Sequence, residues 1–317
     1  MSLHPKLVEF LQQIQKASKK PFESMSIEEM RQATKNFSIF QGEPEVIHDA
    51  FTKTIKLQDH EYAVRIYRPF SEFPLPVVLY FHAGGFVKGD IAYSESFCRK
   101  LANGSGCIII SVNYRLAPEH PFPAALDDAY YALEWVHQSA REFGGDPDTL
   151  AVVGESSGGN LAAAISLMSY MKKGPSIKLQ ILLYPQLDYT HSCLSHSLFA
   201  DGYFLTEQAL YFYAKQYLPE AVDLKDPYLS PYWTKHHKYL PHTYIITAEY
   251  DPLRDEAENY AKELKKAGVK VVHHRYPGMI HGFISMVTLL EEATQAIQSI
   301  CRALQIALQD KSYENKR

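Results

Sequence analysis

The chain is poor in cysteine, and its four, Cys98, Cys107, Cys193 and Cys301, fall into no CxxC or CxxH spacing. Neither a zinc site nor a disulfide framework is indicated, no metal or cofactor is called for, and a reducing, cytoplasmic compartment is the expected setting. Long hydrophobic runs are missing as well: no segment reaches the roughly 18 uninterrupted apolar residues of a membrane span. The first twenty residues, "MSLHPKLVEFLQQIQKASKK", scatter charge through their apolar positions, so no export signal is expected either. Charge of one sign is scarce. With 32 Lys and Arg against 36 Asp and Glu the formal net charge is -4, which gives no electrostatic reason for a nucleic-acid or anionic-membrane partner. The short basic pairs Lys172-Lys173 and Lys265-Lys266 sit where helices should end, as solvated termini. Internal repeats and low-complexity segments are also lacking.

What is present is ample material for one large folded unit: 317 residues, 46% of them hydrophobic. Leu3, Leu7, Phe10, Leu11 and Ile14 recur at helical spacing over residues 3–18, and "SIEEM" at 26–30 reads as the capped start of a second short helix. Strand pattern follows in "FTKTIKL" and "YAVRIYRP", whose mixed faces suit antiparallel pairing. From Pro76 onward, short apolar runs alternate with longer helical stretches: "PVVLYFH", "GCIIISVNY", "TLAVVGE", "LQILLYP", "HTYIITAEY" and "VKVVHHRYP". Runs that are apolar at every position are central strands of a mostly parallel sheet covered by helices on both faces, so the fold class is α/β. Residues 188–226 break the alternation with a His- and Ser-rich loop and then the helix-like "LTEQALYFYAKQYL", and are read as an insertion. The polar tail "QDKSYENKR" is expected to fray.

The stretch "VVGESSGGN" sets two serines side by side, and Gly154 to Gly158 match G-x-S-x-G with Ser156 at the centre. The match follows a strand and precedes the helix-like "NLAAAISLMSYM", the context in which such a serine is pushed out over the sheet edge. A serine hydroxyl needs a base, and the base an orienting carboxylate. Both kinds of partner follow downstream of the serine, an aspartate first and then a histidine. "YIITAEYDPLRDE" puts Asp251 just beyond the C-terminal end of a strand, where open α/β sheets carry their functional groups, and "VVHHRYPGMIHGF" puts His281 in a Gly-flanked loop after the next one. His273 and His274 compete for the base role but lie inside the strand. "FHAGGF" after "VVLY" is a candidate oxyanion loop, with backbone N–H groups of Gly84 and Gly85 joined by that of Ser157. Read alone, it is equally a tight glycine turn.

Taken in order, "FHAGGF", "VNYRLAPEHPFPAALDDAYYALEWV", "GESSGGNLAAAI", "GYFL", "DPYLSP", "ITAEYDPLRDE" and "YPGMIHGF" span about three-quarters of the chain. In this set the chain resembles the hormone-sensitive-lipase-type carboxylesterases, an α/β-hydrolase family. The resemblance implies a triad of Ser156, Asp251 and His281 and an oxyanion hole of Gly84, Gly85 and Ser157. It also implies an α/β-hydrolase domain over residues 46–187 and 227–317, under a helical cap made of residues 1–45 and 188–226. Ala83 replaces a family glycine, which bears on the flexibility of the oxyanion loop but not on its donors. Ser157 stands where alanine is usual, and its N–H is unaffected. Glu155 either tethers the site or faces solvent. Arg115, Glu119 and Asp128 are expected to be structural, and Asp255 to serve the dipole of its helix or to support the acid.

The expected activity is therefore hydrolysis of short- to medium-chain carboxylic esters through an acyl-enzyme, with a small-molecule ester as partner. An acyl-amide hydrolase with the same triad and a non-catalytic ligand-binding member of the fold are the alternatives. Phe86 and the cap aromatics Tyr203, Phe204, Tyr211 and Phe212 suggest an apolar substrate pocket. A homodimer is compatible with the sequence.

Overall fold

A computed structural model of the chain describes residues 2–17 and 24–309. Its centre is a sheet made of β1 (Asp49–Lys56), β2 (Glu61–Arg68), β3 (Leu75–Phe81), β4 (Ile108–Val112), β5 (Gly145–Glu155), β6 (Ile177–Leu183), β7 (His242–Tyr250) and β8 (Val271–Ile280), ordered β1-β2-β4-β3-β5-β6-β7-β8. The alternating burial of β2 marks it as half-covered, and it pairs antiparallel with both β1 and β4. From β4 to β8 all neighbours are parallel. The strands read as apolar throughout are the ones buried on both faces. In β3, Val77, Leu79 and Phe81 join one core while Val78 and Tyr80 join the other.

The helices are α1 (Pro5–Ala17), α2 (Ile27–Phe37), α3 (Glu95–Ser105), α4 (Ala124–Ser139), α5 (Ser157–Lys172), α6 (Leu194–Leu198), α7 (Glu207–Tyr217), α8 (Arg254–Lys266) and α9 (Glu291–Leu308). The expected cap of α2 is present in full, with Ser26 Oγ accepting from the Glu29 N–H and Glu29 answering on the Ser26 N–H. Lys172 closes α5 and Lys265 and Lys266 close α8, as the basic pairs implied. Of the predicted N-terminal helix, residue 18 lies outside the described residues, as do residues 310–317 of the polar tail.

Within the insertion, α7 starts at the Thr206 cap as its pattern implied, but the His- and Ser-rich stretch read as loop contains the short helix α6. Tertiary bonds make that helix rather than periodicity. The Ser195 N–H donates to Asp255 Oδ2 and its Oγ to the Pro252 carbonyl, while His196 Nε2 meets Glu256 Oε2 at 2.8 Å.

The order of the strands positions the site. The chain leaves β3 toward β4 on one side, returns to place β5 on the other, and then proceeds outward through β6, β7 and β8. The direction reverses between β3 and β5, where the strand ends leave a crevice. Phe81 pairs with Gly154 there, so the glycine turn after β3 opens beside the serine turn after β5. At the far side Tyr250 pairs with Ile280, which brings the residues after β7 and β8 together.

Candidate active site

Ser156 links β5 to α5 with φ 55° and ψ -115°, a left-handed conformation that costs a non-glycine residue on the order of 1–3 kcal/mol. Its surroundings hold it there. The Ser156 N–H donates to the Leu183 carbonyl at 2.9 Å, and its carbonyl accepts from the N–H of Asn160 at 3.1 Å and of Gln186 at 3.2 Å. Gly158 is required by close approach: a Cβ there would run into the backbone carbonyls of Phe81 and His82. The tight turn thus packs against the end of β3.

His281 Nε2 lies 2.9 Å from Ser156 Oγ, and His281 Nδ1 lies 2.8 Å from Asp251 Oδ2. Asp251 has no exposed surface, and its second oxygen accepts the Leu253 N–H at 2.9 Å. With Nδ1–H donated to this fixed carboxylate, Nε2 is left to accept the serine proton. His273 is on β8 as expected, near the start of the strand whose end precedes His281, with Nε2 2.9 Å from Thr247 Oγ1.

Gly84 and Gly85 sit at φ 141° and 62° in a turn closed by Val87 and Lys88 N–H groups on the Gly84 carbonyl, both at 3.1 Å. Among the described residues neither the Gly84 nor the Gly85 N–H has a protein acceptor. Ser157 is the first residue of α5, where the N–H has no partner within the helix. His82, at the root of the loop, is fully buried with its ring stacked on Tyr114 at 4.2 Å, and burial pushes its imidazole down to about 4. It is therefore a neutral spacer.

Glu155 does not face solvent. It is 2% exposed and accepts from the hydroxyls of Tyr80 at 2.7 Å and Tyr184 at 2.9 Å. Arg115 grips the buried Asp128, and Glu119 forms a forked pair with Arg31 of α2, neither bond involving the serine. Asp255 makes no bond to Asp251. It holds α6 and Arg254 instead, and the neighbouring Glu256, buried and raised by that burial, takes the N–H groups of Leu187 and Asp188.

The expected pocket residues divide. Phe86 corrects the reading: it has no exposed surface and stacks face to face on Tyr217 at 3.8 Å, so it anchors α7 rather than lining a pocket. Tyr211 is 70% exposed. Tyr203 stacks on Tyr250, next to Asp251, at 5.2 Å. Phe204 packs on Phe37 at 5.5 Å and Phe10 at 6.0 Å, and a Cβ on Gly282, beside His281, would lie 3.7 Å from its ring. Phe212 is half-buried against Tyr213. Sequence reasoning missed Tyr213, whose ring closes directly over Gly85, and Tyr217. The signal was available, because the two stand four residues apart on one face of α7. Tyr184 was missed as well, since nothing marks the residue that follows a buried strand.

A family model described as the alpha/beta hydrolase fold matches residues 78–285. The chain is 33% identical over 303 residues to an arylesterase of Saccharolobus solfataricus, covering 95% of this chain and 99% of the relative. It is 33% identical over 317 residues to an ethyl acetate hydrolase of Pseudomonas putida, covering 96% and 99%. Among solved structures, a hyperthermophilic esterase from the archaeon Pyrobaculum calidifontis superposes with a TM-score of 0.92 at 39% identity, over 96% of this chain and 99% of that one. The chain belongs to the α/β-hydrolase fold family, among carboxylesterases of the hormone-sensitive-lipase type. Among the described residues no helix is long and apolar enough to cross a membrane, and no group of three or more His, Cys, Asp and Glu could hold a metal ion.

Proposed function

We propose that this protein is a serine carboxylesterase acting on short- to medium-chain esters through an acyl-enzyme, with Ser156 as nucleophile, His281 as base and then acid, and Asp251 as the orienting carboxylate. The observation that carries the reading is the unbroken chain from Asp251 through His281 to Ser156, at 2.8 and 2.9 Å, with the serine on a left-handed strand-to-helix turn. His281 takes the Oγ proton as Ser156 attacks the ester carbonyl, and returns it to the departing alcohol. Water then repeats the sequence and frees the acid. The N–H groups of Gly84, Gly85 and Ser157 receive the oxygen on which charge develops, in a region from which the α7 aromatics exclude water.

Residues 1–45 and 188–226 act as the cap, with Tyr203, Phe204 and Phe212 toward the substrate. The close packing of Tyr213 on Gly85 favours small acyl groups, and one relative is an ethyl acetate hydrolase. Four free cysteines, three of them buried, favour the cytoplasmic setting. A p-nitrophenyl ester panel of increasing acyl length, run beside a matched anilide, tests the reading. Highest kcat/KM is expected on short or medium esters. Preference for emulsified long-chain triglyceride would overturn the chain-length assignment, preference for the anilide would make the protein an amidase, and binding without turnover would make it a non-catalytic member of the fold.

A further inference from the structure

A second carboxylate is buried directly behind the serine. Glu155 precedes Ser156, has 2% of its surface exposed, and takes one tyrosine hydroxyl on each oxygen, Tyr80 on Oε1 and Tyr184 on Oε2. Donors on both oxygens are the arrangement of an ionised carboxylate, and burying one demands such compensation. Burial is the largest influence and on balance raises this carboxyl above its ordinary range, while the two tyrosine bonds and the charge of His281 pull it the other way.

The two tyrosines are not equivalent. Tyr80, on β3, packs its ring on Phe97 of α3 at 5.3 Å. Tyr184, just past β6, packs its ring against the imidazole of His281, with centroids 4.9 Å apart and planes at 60°. Its backbone sits at φ 37° and is pinned by its N–H on the Ile246 carbonyl at 2.7 Å. A tyrosine held in the left-handed region stores strain, and strain of this kind gathers where a side chain must be aimed. The groups facing Glu155 are Tyr80, Tyr93, Cys98, Tyr114, Tyr184 and His281, and of these only His281 becomes cationic. Asp251 thus meets the imidazole by a direct bond, and Glu155 meets Tyr184, whose ring lies against the same imidazole.

We propose that Glu155 and Tyr184 are positioning residues forming a second support for His281: Glu155 fixes the Tyr184 hydroxyl, the Tyr184 ring steadies the imidazole, and the buried negative charge favours the imidazolium. The inference rests on the roles proposed for Ser156 and His281. No proton is gained or lost overall, because the Oγ proton moves to Nε2 as the bond from Oγ to the carbonyl carbon forms and the negative charge passes to the carbonyl oxygen. The imidazolium is then offset by the oxyanion and both carboxylates.

The test compares Tyr184→Phe with Tyr80→Phe, because each removes one hydrogen bond from the same carboxylate and a purely structural role predicts equal effects. With p-nitrophenyl acetate, Tyr184→Phe should lower kcat roughly fivefold, the worth of about one hydrogen bond, with KM little changed, and Tyr80→Phe should lower it less than about twofold. Glu155→Gln should lower kcat about tenfold and move the acid limb of kcat/KM to lower pH by on the order of one unit, because removing the negative charge disfavours the imidazolium. Equal kcat effects of the two tyrosine variants, or an unmoved acid limb in folded Glu155→Gln, would overturn the inference; if Glu155→Gln does not fold, the tyrosine pair decides. Fluorophosphonate labelling with peptide mapping separates the two levels. Label outside Ser156 removes the triad reading on which all this stands, whereas label on Ser156 with an unmoved limb removes only the second support.

Discussion

The floor of the candidate site and the cap proposed as its roof are held by different forces. On the floor, groups at the ends of β5, β7 and β8 are buried and fixed by hydrogen bonds of 2.8 to 2.9 Å, from Asp251 to His281 to Ser156 and from Ser156 to Leu183. On the roof, Phe10, Phe37, Phe40 and Phe204 meet through ring contacts with centroids 5.0 to 6.1 Å apart, and Phe204 keeps 39% of its surface in solvent. Proton transfer tolerates little change in distance, and bonds with direction supply that precision. Apolar recognition tolerates repacking, and aromatic area supplies it without direction. The two parts are clamped at Tyr213 over Gly85 and Phe86 on Tyr217, immediately behind the proposed oxyanion donors.

If that contrast is right, damage to the floor should cost far more than damage to the roof. Ser156→Ala should reduce turnover by on the order of 10⁶ with the fold intact, while Ser157→Ala, which keeps the backbone N–H, should stay within roughly tenfold. Comparable losses in the two variants would mean that the serine turn is read in the wrong register. Gly85→Ala strikes the clamp, since the added Cβ meets the Tyr213 ring at 2.6 Å on a backbone at φ 62°. A loss of kcat of about 10²–10³, the size of one missing oxyanion donor, is expected, and steady-state rates on the purified variant will show whether the clamp does set the loop.

His82 provides a pH test of the floor's rigidity. Its imidazole is held at about 4 against an ordinary 6.5, so below the ordinary value the unfolded chain binds the proton that the folded chain refuses. Stability is therefore full above about pH 6.5 and falls as pH drops toward 4, by about 3 kcal/mol from this residue. Urea unfolding at pH 7 and pH 4.5 measures the drop, which a His82→Gln variant should flatten; an equal drop in the variant would assign it to other groups. The smallest effect belongs to the roof. Phe204→Ala should raise KM for aromatic esters a few-fold, on the order of 1 kcal/mol, and leave kcat nearly unchanged, with Tyr211→Ala as an inert control. A large fall in kcat for Phe204→Ala would abolish the distinction between floor and roof.

The same division explains how much could be read in advance. Strands buried on both faces announce themselves as unbroken apolar runs, and a serine between glycines at a strand-to-helix junction leaves little choice of conformation, so the sheet and the place of Ser156 were legible. Asp251 and His281 were legible through their positions just past strand ends. Within the insertion α7 was legible but α6 was not, because α6 owes its helix to Asp255, Pro252 and Glu256, some sixty residues away in the chain, and no local pattern reports such bonds. Phe86 looked like a pocket residue because it follows the glycine turn; only the meeting with Tyr217 sends it inward. Glu155 could face in or out until Tyr80 and Tyr184 were seen to converge on it.

The outward run of strands from β5 to β8 also bears on when, along the folding route, the proposed triad can be complete. Ser156 and His281 are 125 residues apart in the chain, and in the finished sheet β6, β7 and β8 lie in that order beyond β5. Contacts of such sequence separation close late, after local helices and neighbouring strand pairs have formed. A chain still being made carries its serine turn for more than a hundred residues before the proposed base is added, and on the proposed mechanism it stays inert until β8 is docked.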